Sequence, residues 1–201
     1  MPRPRVTLLA VFGLLGLAAA VASLAPAERV LGVNVRIVYL HGAWVWTALL
    51  LFAAAGGLGL AGLFPRRTRA GLLSVGLGRA GALFWVTSLG LSLWAMQTNW
   101  NGLYLAEPRW RLAVEFSIIA ILLQAAATLI QRVRVASGLN AAFALTLGIS
   151  LIRTGSVMHP RAPIASSDSI SIQVFFAGLL LVVLIASWLL ARLLRPSGWK
   201  P

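Results

Sequence analysis

The sequence predicts an all-α, polytopic membrane protein, a bundle of six transmembrane helices. Of its 201 residues, 60% are strongly apolar and only 10% are Asp, Glu, Lys or Arg. A soluble domain carries roughly 25% charged residues. The apolar residues fall in blocks of about 19 or more, long enough as helices to cross a hydrocarbon core of about 30 Å. No run of alternating residues reads as a barrel strand, and backbone polar groups in lipid must be satisfied within the segment, which leaves helix. This composition excludes an ordinary soluble enzyme and a disordered chain.

The spans read, in order, about Val6–Leu24, Val38–Leu63, Arg79–Gln97, Leu112–Ile130, Leu139–Met158 and Ile172–Leu194, forming one domain over residues 1–201. The first span follows Arg3 and Arg5 and ends near Ala25-Pro26-Ala27, a pattern resembling a signal peptide. Proline in that small-residue site opposes cleavage, so a retained helix is expected. The second span carries Gly56, Gly57, Gly59 and Gly62, and the third opens on Gly76, Gly78 and Gly81. Such clusters predict close helix packing, with docking of another membrane subunit as the alternative.

Direction follows from the basic residues. With the N-terminus cytoplasmic, eleven Lys or Arg lie inside (Arg3, Arg5, Arg66, Arg67, Arg69, Arg79, Arg132, Arg134, Arg192, Arg195, Lys200) and six outside (Arg29, Arg36, Arg109, Arg111, Arg153, Arg161). That bias predicts both termini inside. All four acids, Glu28, Glu107, Glu115 and Asp168, then lie outside. The net charge of +13 reflects topology and anionic lipid. Nucleic acid is not expected as a partner, because no basic face interleaved with aromatics exists off the membrane. The chain has no Cys, which removes disulfide, thiol and thiolate–metal chemistry.

The chemistry concentrates on the outer face. His41 lies near the outer end of span two and His159 follows span five; they are the only two histidines. Between them in the chain runs an aromatic segment with Trp94, Trp100, Tyr104 and Trp110. Two imidazoles can hold a six-coordinate haem iron, aromatic rings offer the porphyrin a surface, and Arg36, Arg109, Arg111 and Arg161 can pair with its propionates. Each element alone has a plainer reading as an interfacial residue, and composition does not choose haem over another anionic or aromatic ligand. Glu115 and Arg153 near span ends are costly in lipid. They are expected to pair with each other, or Glu115 with Arg111; Arg153 on a propionate is the alternative.

The segment Val35-Arg36-Ile37-Val38-Tyr39-Leu40-His41, followed by Ala43-Trp44, resembles the Arg-Ile-x-Tyr-x-His segment of the cytochrome c assembly proteins, the haem-handling family that includes haem exporter protein C. The Trp-rich segment between spans three and four and His159 between spans five and six agree in placement. The family's Trp-Asp ending maps near Leu105-Ala106-Glu107, where no Trp stands and Glu replaces Asp. The resemblance implies His41 and His159 as axial ligands of a non-covalent haem b, presented to a periplasmic haem chaperone. It also implies transporter and accessory membrane subunits as partners, and a place in a bacterial inner membrane. Haem delivery rather than turnover is expected, since no nucleophile–base pair is evident. The alternatives are a bis-His haem b electron-transfer subunit and a cofactor-free accessory membrane subunit.

Overall fold

A computed structural model describes residues 4–157, 164 and 167–200. It is an all-α bundle of six helices: α1 (Pro4–Ser23), α2 (Val35–Gly62), α3 (Thr68–Trp100), α4 (Pro108–Ile130), α5 (Val133–Arg153) and α6 (Ile170–Leu193). All six are long and apolar enough to cross a membrane. No sheet forms among the described residues; pairing outside helices is limited to two isolated bridges, Glu28 with Gly32 and Arg132 with Lys200. The connections α1–α2, α3–α4 and α5–α6 share one end of the bundle, here called the tryptophan face. The two ends of the chain share the other, the terminal face.

The antiparallel hairpin of α2 and α3 is the centre. Helix α5 packs on both its members, α4 on α3 and α5, and α6 on α2 and α3, while α1 lies mainly along α6. Lipid is as apolar as leucine, so burial of apolar surface does not drive helices together here. Close van der Waals fit and interhelical hydrogen bonds do.

Small residues create that fit. A Cβ on Gly59 would lie 2.5 Å from the Ser137 carbonyl oxygen, and one on Gly62 would lie 2.6 Å from the Cα of Gly71. The glycine cluster is therefore a close-packing device between α2, α3 and α5. Gly57, by contrast, has no atom within 4 Å of such a Cβ and is exposed. A buried polar network reinforces the contact. Asn140 Nδ2 donates to the Ser74 carbonyl at 3.0 Å and to Ser74 Oγ at 3.1 Å; Ser74 Oγ donates to the Ala55 carbonyl at 2.7 Å; Gln124 Nε2 donates to Asn140 Oδ1 at 3.0 Å. Four helices thus share one set of hydrogen bonds.

Two helices differ in extent from the sequence expectation. Helix α3 begins at Thr68 rather than Arg79 and runs 33 residues, about 50 Å at 1.5 Å per residue. Gly71, Ser74, Gly76 and Gly78 lower the apolar signal of its first third, yet all four are buried against neighbouring helices. Helix α5 runs Val133–Arg153 instead of Leu139–Met158. It starts early because its first turn is held by the chain's end, where Val133 N–H donates to the Lys200 carbonyl at 2.8 Å. It stops early because Thr154 is extended, with φ −80° and ψ 120°. Arg153 is therefore the last residue of α5.

Replacing Gly59 with leucine should lower the thermal stability of the detergent-solubilised protein by about 1–3 kcal/mol or more, the cost of overpacking. Gly57→Ala should be neutral or slightly stabilising, by up to about 1 kcal/mol. Equal losses in the two variants, read by thermal unfolding, would refute the packing assignment.

Candidate functional site on the tryptophan face

The tryptophan face is built from the first turns of α2 and α4, the last turns of α3 and α5, and the connections between them. Asn34 Nδ2 donates to the Thr98 carbonyl at 3.2 Å, pinning the start of α2 to the end of α3. Farther down, Trp44 Nε1 donates to Thr87 Oγ1 at 3.1 Å, with its ring 5.2 Å from that of Phe84. The second bond locks the same two helices one membrane layer deeper.

His41 is the seventh residue of α2 and is half-buried. It shares a helical stripe with Ala48 and Phe52, seven and eleven residues on, both buried. Phe52 packs against Phe143 at 4.7 Å and Trp85 at 6.2 Å between ring centroids, and Phe143 against Phe116 at 5.7 Å. His41 therefore sits two to three turns above an aromatic layer contributed by α2, α3, α4 and α5. Beside it, Gly42 leaves room for α6 and the segment before it. A Cβ there would meet Phe176 Cε2 at 3.2 Å and Ile164 Cδ1 at 3.7 Å.

Arg36 and Tyr39 have a structural role that the sequence did not disclose. Arg36 Nε donates to the Ala25 carbonyl at 3.2 Å, and the Tyr39 hydroxyl donates to the Pro26 carbonyl at 3.3 Å. The fully buried Tyr39 ring also packs on Phe175. Together they hold the α1–α2 connection, so the Arg36 Nε is committed to the backbone rather than open to a ligand.

The aromatic segment divides. Trp94 is 61% exposed on the penultimate turns of α3, while Trp100 and Trp110 are half-buried and Tyr104 is exposed. Helix α3 ends at Trp100 with Asn101 left-handed at φ 51°. Helix α4 then opens on Glu107-Pro108, proline filling a position whose N–H would be orphaned anyway. Arg109 in that first turn has its Nε buried without a hydrogen-bond partner. Arg111 is exposed and lines a groove of about 350 Å³ between α4 and α5 together with Glu115, Ser150 and Thr154. Glu115 makes no ion pair with either Arg111 or Arg153 among the described residues, contrary to the expectation. Both arginines and Glu115 are exposed at the membrane-interface level, where water and headgroups can solvate them.

Sequence reasoning missed Glu107 as a site element. It is only 2% exposed, and both its carboxylate oxygens accept the Val157 N–H at 3.2 Å. A carboxylate at the start of α4 thereby tethers the segment that follows α5. The signal was present in the Glu-Pro step at a helix start, but its partner is 50 residues away. His159 and Arg161 lie outside the described residues. The described residues flanking them are Val157, held by Glu107, and Ile164, against Gly42.

Comparison with models of protein families finds none that matches this chain, and comparison with curated protein sequences finds no match either. Among the described residues, no three His, Asp or Glu side chains gather as an ion site.

Among the described residues outside the spans, the α1–α2 connection carries a clear titration effect. Glu28 and Gly32 exchange backbone hydrogen bonds of 3.1 and 2.8 Å, and Gly32 takes φ +58° to close the loop. The Glu28 carboxylate accepts the N–H groups of Leu31 at 2.9 Å and Val30 at 2.8 Å. These donors, Leu31 first, hold its pKa below the ordinary 4.5. A depressed carboxylate contributes loop order above its ordinary pKa and loses it as pH falls through the depressed value. The Val30 and Leu31 amide resonances should therefore titrate with a midpoint below 4.5, and Glu28→Gln should abolish the transition. A midpoint at or above that value contradicts the assignment.

Proposed function

We propose that this multi-pass membrane protein handles haem. In this reading it holds a non-covalent haem b at the tryptophan face, between His41 and His159, and presents it for cytochrome c biogenesis. The observation that carries the reading is the position of His41, half-buried over an aromatic layer. Of the described residues flanking His159, Ile164 lies against Gly42, next to His41 in α2, and Val157 is held by Glu107. The residues fit such a group in a second respect. The buried Arg109 Nε has no hydrogen-bond partner among the described residues, and such a donor is satisfied by an anion such as a propionate.

Haem, when bound, supplies an iron that two neutral imidazoles can ligate. The rest is the work of the chain. The α2–α3 hairpin fixes the height and direction of His41. Glu107 restrains the backbone that leads to His159. Trp100 and Trp110, half-buried on the α3–α4 connection, offer ring surface. With no Cys, the chain has no thiol for attachment and would release its ligand intact. The excess of basic residues on the terminal face supports a cytoplasmic position for both termini, and hence an extracytoplasmic tryptophan face suited to delivery to a soluble acceptor. That acceptor, the associated transporter subunits and the bacterial inner membrane come from the resemblance of the His41 segment.

Protein purified after haem supplementation should show a low-spin bis-imidazole spectrum. His41→Ala and His159→Ala should each change that spectrum and reduce haem retention. Arg109→Ala should weaken retention by about tenfold, the loss of one charge-assisted hydrogen bond of about 1.5 kcal/mol. Unchanged spectra and haem content in both histidine variants would refute the proposal.

A further inference from the structure

On the terminal face, two segments distant in sequence are zipped together by backbone bonds. Val133 N–H donates to the Lys200 carbonyl at 2.8 Å, and Lys200 N–H donates to the Gln131 carbonyl at 3.1 Å, pairing Arg132 with Lys200. The half-buried Trp199 anchors this tail, its ring centroid 5.0 Å from the Arg79 guanidinium carbon. Arg79 in turn donates to the Leu194 carbonyl and to Thr128 Oγ1, each at 2.9 Å. The fold therefore spends specific contacts on bringing the tail against the α4–α5 connection.

The result is electrostatically unfavourable in isolation. Arg132, Arg134, Arg195 and Lys200 are all exposed, and like charges held side by side repel. Among the described residues, no side-chain carboxylate lies on this face. The chain's four acids are Glu28, before α2, Glu107 and Glu115, at the start of α4, and Asp168, before α6. Every one is at the opposite end of the bundle. No Asp or Glu therefore supplies counter-charge at the level where α4 and α6 end and α5 begins.

We infer that Arg132 and Lys200, with Arg134 and Arg195 beside them, form a binding site for the headgroup of an anionic phospholipid. The paired Arg132 and Lys200 at the end of membrane helices are opposite in charge to such a headgroup and lie at its depth. Arginine suits the phosphate oxygens as a planar fork, and lysine as a point charge. This site is distinct from the tryptophan face and does not depend on the haem reading.

The test is native mass spectrometry of the full-length protein in detergent, titrated with phosphatidylglycerol or phosphatidylcholine. The wild type should retain phosphatidylglycerol several-fold better. Arg132→Gln and Lys200→Gln should each reduce that preference about fivefold, the effect of one cation near a lipid surface. Trp199→Ala, which frees the tail without changing charge, should reduce it as well. Arg29→Gln, an exposed cation on the opposite face, should leave it within twofold. Absence of a preference in the wild type would overturn the site. So would an equal loss in the Arg29→Gln control, or unchanged preference in Lys200→Gln with the helix content intact.

Discussion

The close approach of α2, α3 and α5 is the constraint on which the rest of the architecture depends. In water, apolar burial would hold such helices together. In lipid that force is missing, and backbones must come near enough for dispersion and interhelical hydrogen bonds to matter. Gly59 and Gly62 bring α2 onto Ser137 and Gly71, and Asn140 spends its amide on Ser74 at the same level. Each membrane hydrogen bond of this kind is worth only about 0.6 kcal/mol on average. The network therefore acts chiefly by setting register. A slip of α5 along the hairpin would leave the Asn140 and Gln124 amides unsatisfied in an apolar interior.

From that rigid centre the tryptophan face inherits its geometry. Because α2 and α3 cannot slide, Asn34 meets the Thr98 carbonyl and Trp44 meets Thr87. His41 then has a fixed height above Phe52 and the rings packed around it. Connections that would otherwise be loose are tied by side chains from the helices. Arg36 and Tyr39 hold the residues after α1, and Glu107 holds those after α5. The residues that build the face are thus mostly those that satisfy backbone groups near the lipid boundary, where water satisfies them only in part.

The two ends of the bundle carry opposite electrostatic designs. The tryptophan face mixes all four acids with several arginines, so charge can be balanced locally. The terminal face carries no acidic side chain among its described residues, so its exposed cations suit an anionic surrounding. Arg79 shows how a cation can serve this fold within a helix. It caps the C-terminal end of α6 through the Leu194 carbonyl, where the helix dipole favours positive charge, and stacks on Trp199.

Much of this was legible in the sequence. Six apolar blocks establish six helices, because only a helix satisfies its own backbone in lipid, and the glycine clusters foretold intimate packing. The placement of His41 near one end of α2 followed from its distance to the start of the apolar block. Hydropathy failed where a helix earns its stability from contact rather than composition. The glycine-rich first third of α3 and the basic first turn of α5 are helical only because α2, α6 and the chain's end pack against them. Tertiary structure alone assigned Arg36 to a carbonyl, left Glu115 without an ionic partner among the described residues, and buried Glu107 beneath Val157. The physical reason is the same in each case. Backbone periodicity is local and is written residue by residue, whereas the partner of a polar side chain is chosen by whichever distant group the packed helices bring within 3 Å or so.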